Sequence, residues 1–290
     1  MQRMNCNDHQ KEGGVKACIY AAVILKWRVI NGLKEKSVML KFILVAATVI
    51  LFLVFSIPVL VWESYLGKKD PEKRDWQSLH IVQWIFWIIL KMAGVHITVK
   101  GIENIPKDRA VLYVGNHRSY FDILTGYVTV PTLVGFVAKK EMEKWPLLSN
   151  WMKNVHCLFL NRTDMKEGLK TILEGIAQVK SGISVWIFPE GTRNKNEDLM
   201  DLLPFKEGSL KIAEKSGCPV IPVAITGTAE VFEAHFPKIH SSNVTIEFGA
   251  PFIVKELEPE QRKFAGAYTR ERILEMLQRE RNNNDQEERE

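Results

Sequence analysis

Cysteine is scarce in this chain: four in 290 residues (Cys6, Cys18, Cys157 and Cys218), with no C-x-x-C pair. That excludes a disulfide scaffold and the ligand spacing of structural zinc sites. Two of the four lie in apolar, strand-like surroundings, where a reduced thiol serves as a small hydrophobe and suits a cytoplasmic setting. Internal repeats are missing too, so solenoids and propellers are excluded. Most of the chain also lacks a charge excess. Residues 1–41 hold eight Lys/Arg against three acids, and residues 42–290 balance at 31 against 31. A nucleic-acid binder carries its excess on the folded domain, so no nucleic-acid partner is expected. An excess that precedes an apolar segment points to a membrane surface instead.

The longest gap in charge is residues 42–62, 21 positions without a Lys, Arg, Asp or Glu. At ~1.5 Å per residue such a helix reaches ~30 Å, the hydrocarbon thickness of a bilayer. Pro58 is placed to kink it, and Trp62 suits the interface. Lys26, Arg28, Lys34, Lys36 and Lys41 flank one side, Lys68, Lys69, Lys73 and Arg74 the other. This near balance sets no orientation and fits either a single pass or a monotopic attachment. Residues 1–36 read as a polar, basic extension with an interfacial helix over 15–29. Residues 76–95, with Trp76, Trp84 and Trp87 among isoleucines and His80, Gln83 and Lys91 on one stripe, read as an amphipathic helix. It lies on the membrane or under the next domain.

From residue 96 the pattern alternates. β-rich runs at 97–100, 110–114, 133–138, 157–160, 185–188, 220–225 and 244–248 are separated by helical patterns at 120–128, 146–154, 166–180 and 207–215. Such alternation predicts an α/β domain over 96–257, a mostly parallel sheet flanked by helices. Residues 258–281 predict a charged terminal helix, followed by a solvated tail to 290.

In such sheets sites gather at the carboxyl ends of strands. Two motifs sit there. The first is Asn116-His117-Arg118-Ser119-Tyr120-Phe121-Asp122. Five residues apart on a regular helix, at ~100° per residue, His117 and Asp122 would diverge by ~140°. They meet only if His117 lies in the turn and Asp122 in the first helical turn, with Ser119 as N-cap. The carboxylate then holds one ring nitrogen and leaves the other free to take a proton. The competing reading is an ordinary capped turn. The second motif is Phe188-Pro189-Glu190-Gly191-Thr192-Arg193-Asn194. Here Pro and Gly force a turn, Arg193 offers a planar fork suited to phosphate, and Glu190 is placed to orient Arg193 or a substrate hydroxyl. The remaining histidines fall in polar or border positions and are read as structural or surface groups.

Together, H-x4-D and F-P-E-G-T-R resemble the glycerolipid acyltransferase family, in particular its 1-acylglycerol-3-phosphate (lysophosphatidate) acyltransferases. Phe159-Leu160-Asn161-Arg162, Val220-Ile221-Pro222-Val223-Ala224 and Phe136-Val137-Ala138-Lys139-Lys140-Glu141 look like further blocks in the family's order, so the resemblance covers about residues 95–252. It implies that His117 deprotonates the free glycerol hydroxyl for attack on an acyl thioester, with Asp122 holding the imidazole. It also implies that Arg193, framed by Gly191 and Thr192, holds the acceptor phosphate, with Lys139 and Arg162 as second contacts and Glu190 at the glycerol backbone. No metal or cofactor is expected, with acyl-CoA or acyl-carrier protein as co-substrate. Expected partners are membrane lipids and lysophosphatidate, and the catalytic domain is placed on the cytoplasmic face of a membrane. His156 and Asn161 depart from the family's Gly and Asp in the second block, which bears on acceptor preference. The alternatives are another lyso-lipid as acceptor, a hydrolase using Ser119, which lacks the G-x-S-x-G elbow, or an inactive membrane scaffold.

Overall fold

The computed structural model describes residues 38–287. The expected extension over 1–36, with its interfacial helix, Cys6, Cys18, His9 and most of its basic flank, lies outside them. The chain is helical over Val38–Phe55 (α1), turns at Ser56, and is helical again over Ile57–Lys69 (α2). The uncharged run is therefore two helices rather than one. Pro58 occupies the first turn of α2, where its missing N–H does least harm. Trp151 Nε1 donates to Ser56 Oγ at 2.9 Å, which ties this junction to the domain beyond.

α3 (Pro71–Ala93) begins and ends on clear signals: the Asp70 side chain accepts from Lys73 N, and Gly94 takes the left-handed conformation that closes the helix. Its apolar face, Leu79, Val82, Ile85, Ile89 and Leu90, is buried in the core. The outward stripe differs from the one expected. It comprises His80, Trp84, Trp87 and Lys91, whereas Gln83 turns inward and donates to the carbonyls of Tyr127 and Val130 at 2.9 and 3.1 Å.

The seven predicted strands are all present: β1 (Val95–Lys100), β2 (Leu112–Gly115), β3 (Val134–Lys139), β4 (Leu158–Leu160), β5 (Ser184–Ile187), β6 (Val220–Thr226) and β7 (Ser242–Phe248). They form one sheet in the order β1-β7-β6-β2-β5-β3-β4. β6 and β7 pair antiparallel and every other neighbouring pair is parallel, so β1 and β7 run against the remaining five. The central strands β2 and β5 are buried throughout, as expected of a sheet covered on both faces. One face packs Tyr113, Phe136, Trp186 and Phe248 beneath α3 and α4 (Phe121–Thr129). The other packs Leu112, Val114, Val185 and Ile187 against α7 (Lys211–Ser216) and α9 (Ala265–Glu287), with α6 (Met165–Lys180) beside them.

Shorter helices complete the frame: α5 (Leu148–Asn154) and α8 (Pro259–Lys263). The helix expected over 207–215 is a 3-10 turn, Glu207–Leu210, running into α7. The terminal helix continues to Glu287, so 282–287 are helical where a solvated tail was expected.

Candidate active site

Because β2, β3, β4, β5 and β6 run in one direction, their carboxyl ends share one edge of the sheet, and each sequence motif emerges there. β2 pairs β5 with Val114 opposite Ile187, so the turns that follow, 116–122 and 188–194, start side by side. The second motif grips the backbone of the first. Glu190 Oε1 accepts from His117 N at 2.7 Å, and Asn194 N donates to the His117 carbonyl at 2.7 Å. Asn116 fixes the other side, exchanging two bonds of 2.9 and 2.8 Å with Ile225 of β6. The turn is thus tied on both sides, the His117 main chain to the turn after β5 and the Asn116 side chain to β6.

The His117 ring lies flat on Phe188, centroids 4.1 Å apart, with Phe136 and Trp186 beyond. Its Nδ1 is 2.8 Å from Asp122 Oδ2. The ring nitrogen left for a substrate proton is Nε2. Asp122 sits in the first turn of α4 and is 1% exposed. Its Oδ2 also accepts from the N–H groups of Arg118 and Ser119, both at 2.8 Å, while Oδ1 accepts from the buried Thr228 hydroxyl at 2.5 Å. Four donors therefore hold the carboxylate. This arrangement keeps the imidazole in the tautomer with hydrogen on Nδ1.

Ser119 is not the N-cap residue of α4, which is Tyr120. Its hydroxyl does accept from Phe121 N at 3.0 Å, and it donates to Glu233. With the side chain fully buried and both roles filled, Ser119 is a structural group rather than a nucleophile.

Glu190 does not orient Arg193. Its second oxygen accepts from Leu203 N at 3.1 Å, so the side chain braces two loops. Burial pushes its carboxyl above the ordinary value of 4.5, against the pull of the two N–H donors. Gly191 has φ +74, and a Cβ there would stand 3.0 Å from Lys206 Nζ. Arg193 projects from this turn, Nη1 at 2.8 Å from Glu233 Oε1 and the guanidinium 3.8 Å above the Tyr120 ring. Thr192, beside it, is exposed. Arg162, beyond β4, donates to the Gly191 carbonyl. Lys139 ends β3 opposite Leu160 on β4, exposed on the same edge.

The two departures in the second block have local explanations. His156 takes φ +58, a conformation natural to glycine, and its Nε2 lies 2.8 Å from Asp75 Oδ2 of α3. Burial raises the Asp75 carboxyl, but His156 and Arg74 outweigh it and hold it below the ordinary range. Asn161 accepts from Thr163 N and Asp164 N, a turn that leads into α6. Sequence reasoning missed Thr228 and Glu233, and it gave Asn194, quoted within the second motif, no role. Thr228 and Asn194 follow β6 and β5, where the strand-end rule points, but Glu233 carries no local signal. Among the described residues no group of three His, Cys, Asp or Glu forms a metal-ligand set.

Comparison with known proteins places this geometry. The family described as Acyltransferase matches residues 96–226. The chain is 29% identical over 184 residues to the 1-acyl-sn-glycerol-3-phosphate acyltransferase of Saccharomyces cerevisiae, matching 61% of this chain and 60% of that one. It is 34% identical over 145 residues to the Borreliella burgdorferi protein of the same name, matching 50% and 57%. A Mycoplasma pneumoniae protein, named as a probable 1-acyl-sn-glycerol-3-phosphate acyltransferase, is 30% identical over 198 residues, 66% of this chain and 70% of that one. The chain thus spans less than two thirds of the yeast and Borreliella relatives, at 60% and 57% of their length. The crystal structure of the 1-acyl-sn-glycerophosphate acyltransferase PlsC from Thermotoga maritima superposes with a TM-score of 0.69 at 28% identity, covering 85% of this chain and 97% of that one. The chain belongs to the acyltransferase family that includes the 1-acyl-sn-glycerol-3-phosphate acyltransferases.

Proposed function

We propose that the chain transfers a fatty acyl group from an acyl thioester, acyl-CoA or acyl-carrier protein, to the free hydroxyl of 1-acylglycerol-3-phosphate, giving phosphatidate. The observation that carries this reading is the His117–Asp122 pair, built at the sheet edge and locked to the Glu190–Asn194 turn. His117 Nε2 takes the proton of the acceptor hydroxyl, and the oxygen attacks the thioester carbonyl. The tetrahedral intermediate collapses with cleavage of the C–S bond, and the thiolate leaves with the proton that the imidazolium returns. Asp122 stabilises the imidazolium between these steps. Arg193 serves the acceptor phosphate, with Arg162 and Lys139 on the same edge as further cations. The reaction so drawn uses side chains alone, and no metal or cofactor is assigned to it. The exposed apolar surface of α1 and the outward Trp84 and Trp87 fit work at a membrane, and we assign the domain to its cytoplasmic face.

The test is acyl transfer to lysophosphatidate by the purified protein, using labelled acyl-CoA or acyl-carrier protein. Wild type should make phosphatidate and His117→Ala should lose about 10²- to 10⁴-fold in rate. Release of free fatty acid without transfer would overturn the reading in favour of hydrolysis.

A further inference from the structure

The donors assembled around Arg193 already hold an anion, and it is a side chain of the protein. Glu233 lies on a single 3-10 turn, Glu233–His235, in the connection between β6 and β7. Its Oε1 is 2.8 Å from Arg193 Nη1 and accepts from Tyr120 N at 2.9 Å, while Oε2 accepts from the Ser119 hydroxyl. A guanidinium, a backbone N–H and a hydroxyl are the donor types that recognise phosphate oxygens. Glu233 makes no hydrogen bond or ion pair with His117 or Asp122, so the catalytic pair does not explain it. Nor is it sealed in the core: the side chains of Arg193 and Glu233 are 32% and 20% exposed. Solvent reaches the pair. The connection that carries Glu233 also meets the apolar helix, since Phe232 stacks on Phe42 of α1 with centroids 5.9 Å apart and Phe236 is largely exposed. A lipid acceptor arriving along α1 would meet this loop beside its phosphate seat.

Resting on the proposed reaction, we infer that Glu233 is the resident counter-anion of the acceptor site. The acceptor's phosphomonoester exchanges with it for Arg193, Tyr120 N–H and Ser119 O–H, which makes Glu233 a determinant of headgroup specificity. A phosphomonoester carries about −1.5 to −2 charges near neutral pH against −1 for the carboxylate, so it can win the exchange. A headgroup without phosphate cannot displace Glu233 from its guanidinium. Were Glu233 only a brace for Arg193, removing it would loosen the phosphate contact. As a competitor, its removal tightens that contact, so the two roles predict opposite signs.

The experiment uses the full chain in detergent micelles as wild type, Glu233→Gln and Glu233→Ala. Gln keeps the shape and one acceptor oxygen, and Ala removes the group outright. Both variants should lower KM for lysophosphatidate by about 2- to 5-fold, the worth of a partly exposed ion pair, with kcat little changed. Inhibition by inorganic phosphate should strengthen in the same proportion. A raised KM, an unchanged KM, or a fall in kcat at constant KM overturns the inference. Calorimetric titration of the same three proteins with inorganic phosphate and with sn-glycerol 3-phosphate separates the two levels of the argument. If wild type transfers no acyl group to lysophosphatidate, the proposed reaction fails. Tighter phosphate binding in the variants would still support the exchange at Glu233, and equal or weaker binding would overturn it.

Discussion

Thr228 shows how much of this site is settled one residue at a time. Its hydroxyl, 2.5 Å from Asp122 Oδ1, is among the described residues the one donor to that oxygen, and both groups are buried. Thr228→Val keeps the shape and removes the donor, leaving a buried carboxylate oxygen unsatisfied at a cost of about 1–3 kcal/mol. If about 1.4 kcal/mol of this reaches the transition state through a misplaced imidazole, kcat falls about tenfold. KM for the acceptor should hold, because the Thr228 hydroxyl is bonded to Asp122 and Arg193 to Glu233, and Thr228→Ser should stay near wild type. Steady-state kinetics of the three proteins check it. His117 and Asp122 were legible from type and spacing because a turn can join groups five residues apart. Thr228 and Glu233 stand 106 and 114 positions from their partners Asp122 and Ser119, so only the folded sheet makes them neighbours. Glu190 was legible as a site residue, but its donors could not be read: nothing local says that its carboxylate meets His117 N rather than Arg193.

At the scale of elements, the turn after β5 carries the most function on the least chain. Gly191 allows it to reverse at φ +74, which brings the Glu190 side chain to one strand's turn and Arg193 to another's. Gly191→Ala should lower stability by about 1–2 kcal/mol from the left-handed backbone alone. Its methyl group would also press on Lys206. Relaxation of the turn shifts Arg193, so acceptor KM should rise as well, and thermal unfolding alongside kinetics measures both. Elements themselves were largely readable, because buried parallel strands write continuous apolar runs and helices write a 3.6 period. What periodicity could not place was the facing of single polar residues. Gln83 fits the outward stripe of α3 by spacing, yet two carbonyls of the α4 region draw it inward.

Over the whole molecule, an α/β domain covered on both faces is joined to a segment whose apolar surface the described residues leave largely uncovered. Strand order was not written in any local pattern. β7 reverses against β6 because the connection between them returns along the site edge, and that return brings Thr228 and Glu233 to the catalytic turn. α1 states the opposite lesson. Its composition was legible at once, and among the described residues only 11% of the Val38–Phe55 window is buried. Ile43 and Ile50, seven apart and therefore on one face, are 55% and 62% exposed. An apolar face of this kind is stable in water only if something covers it, and a bilayer covers it without a protein partner. A charge there tests the point: Asp near the centre of a membrane helix costs about 2.5–3.5 kcal/mol on insertion scales, so two should remove about 5–7 kcal/mol of attachment. Because both side chains point away from the domain, Ile43→Asp/Ile50→Asp should leave its unfolding transition in place while moving the protein from the membrane pellet to the supernatant after an alkaline wash. Retention in the pellet with an intact transition would assign the attachment to another surface, with the outward Trp84 and Trp87 of α3 as the next to change.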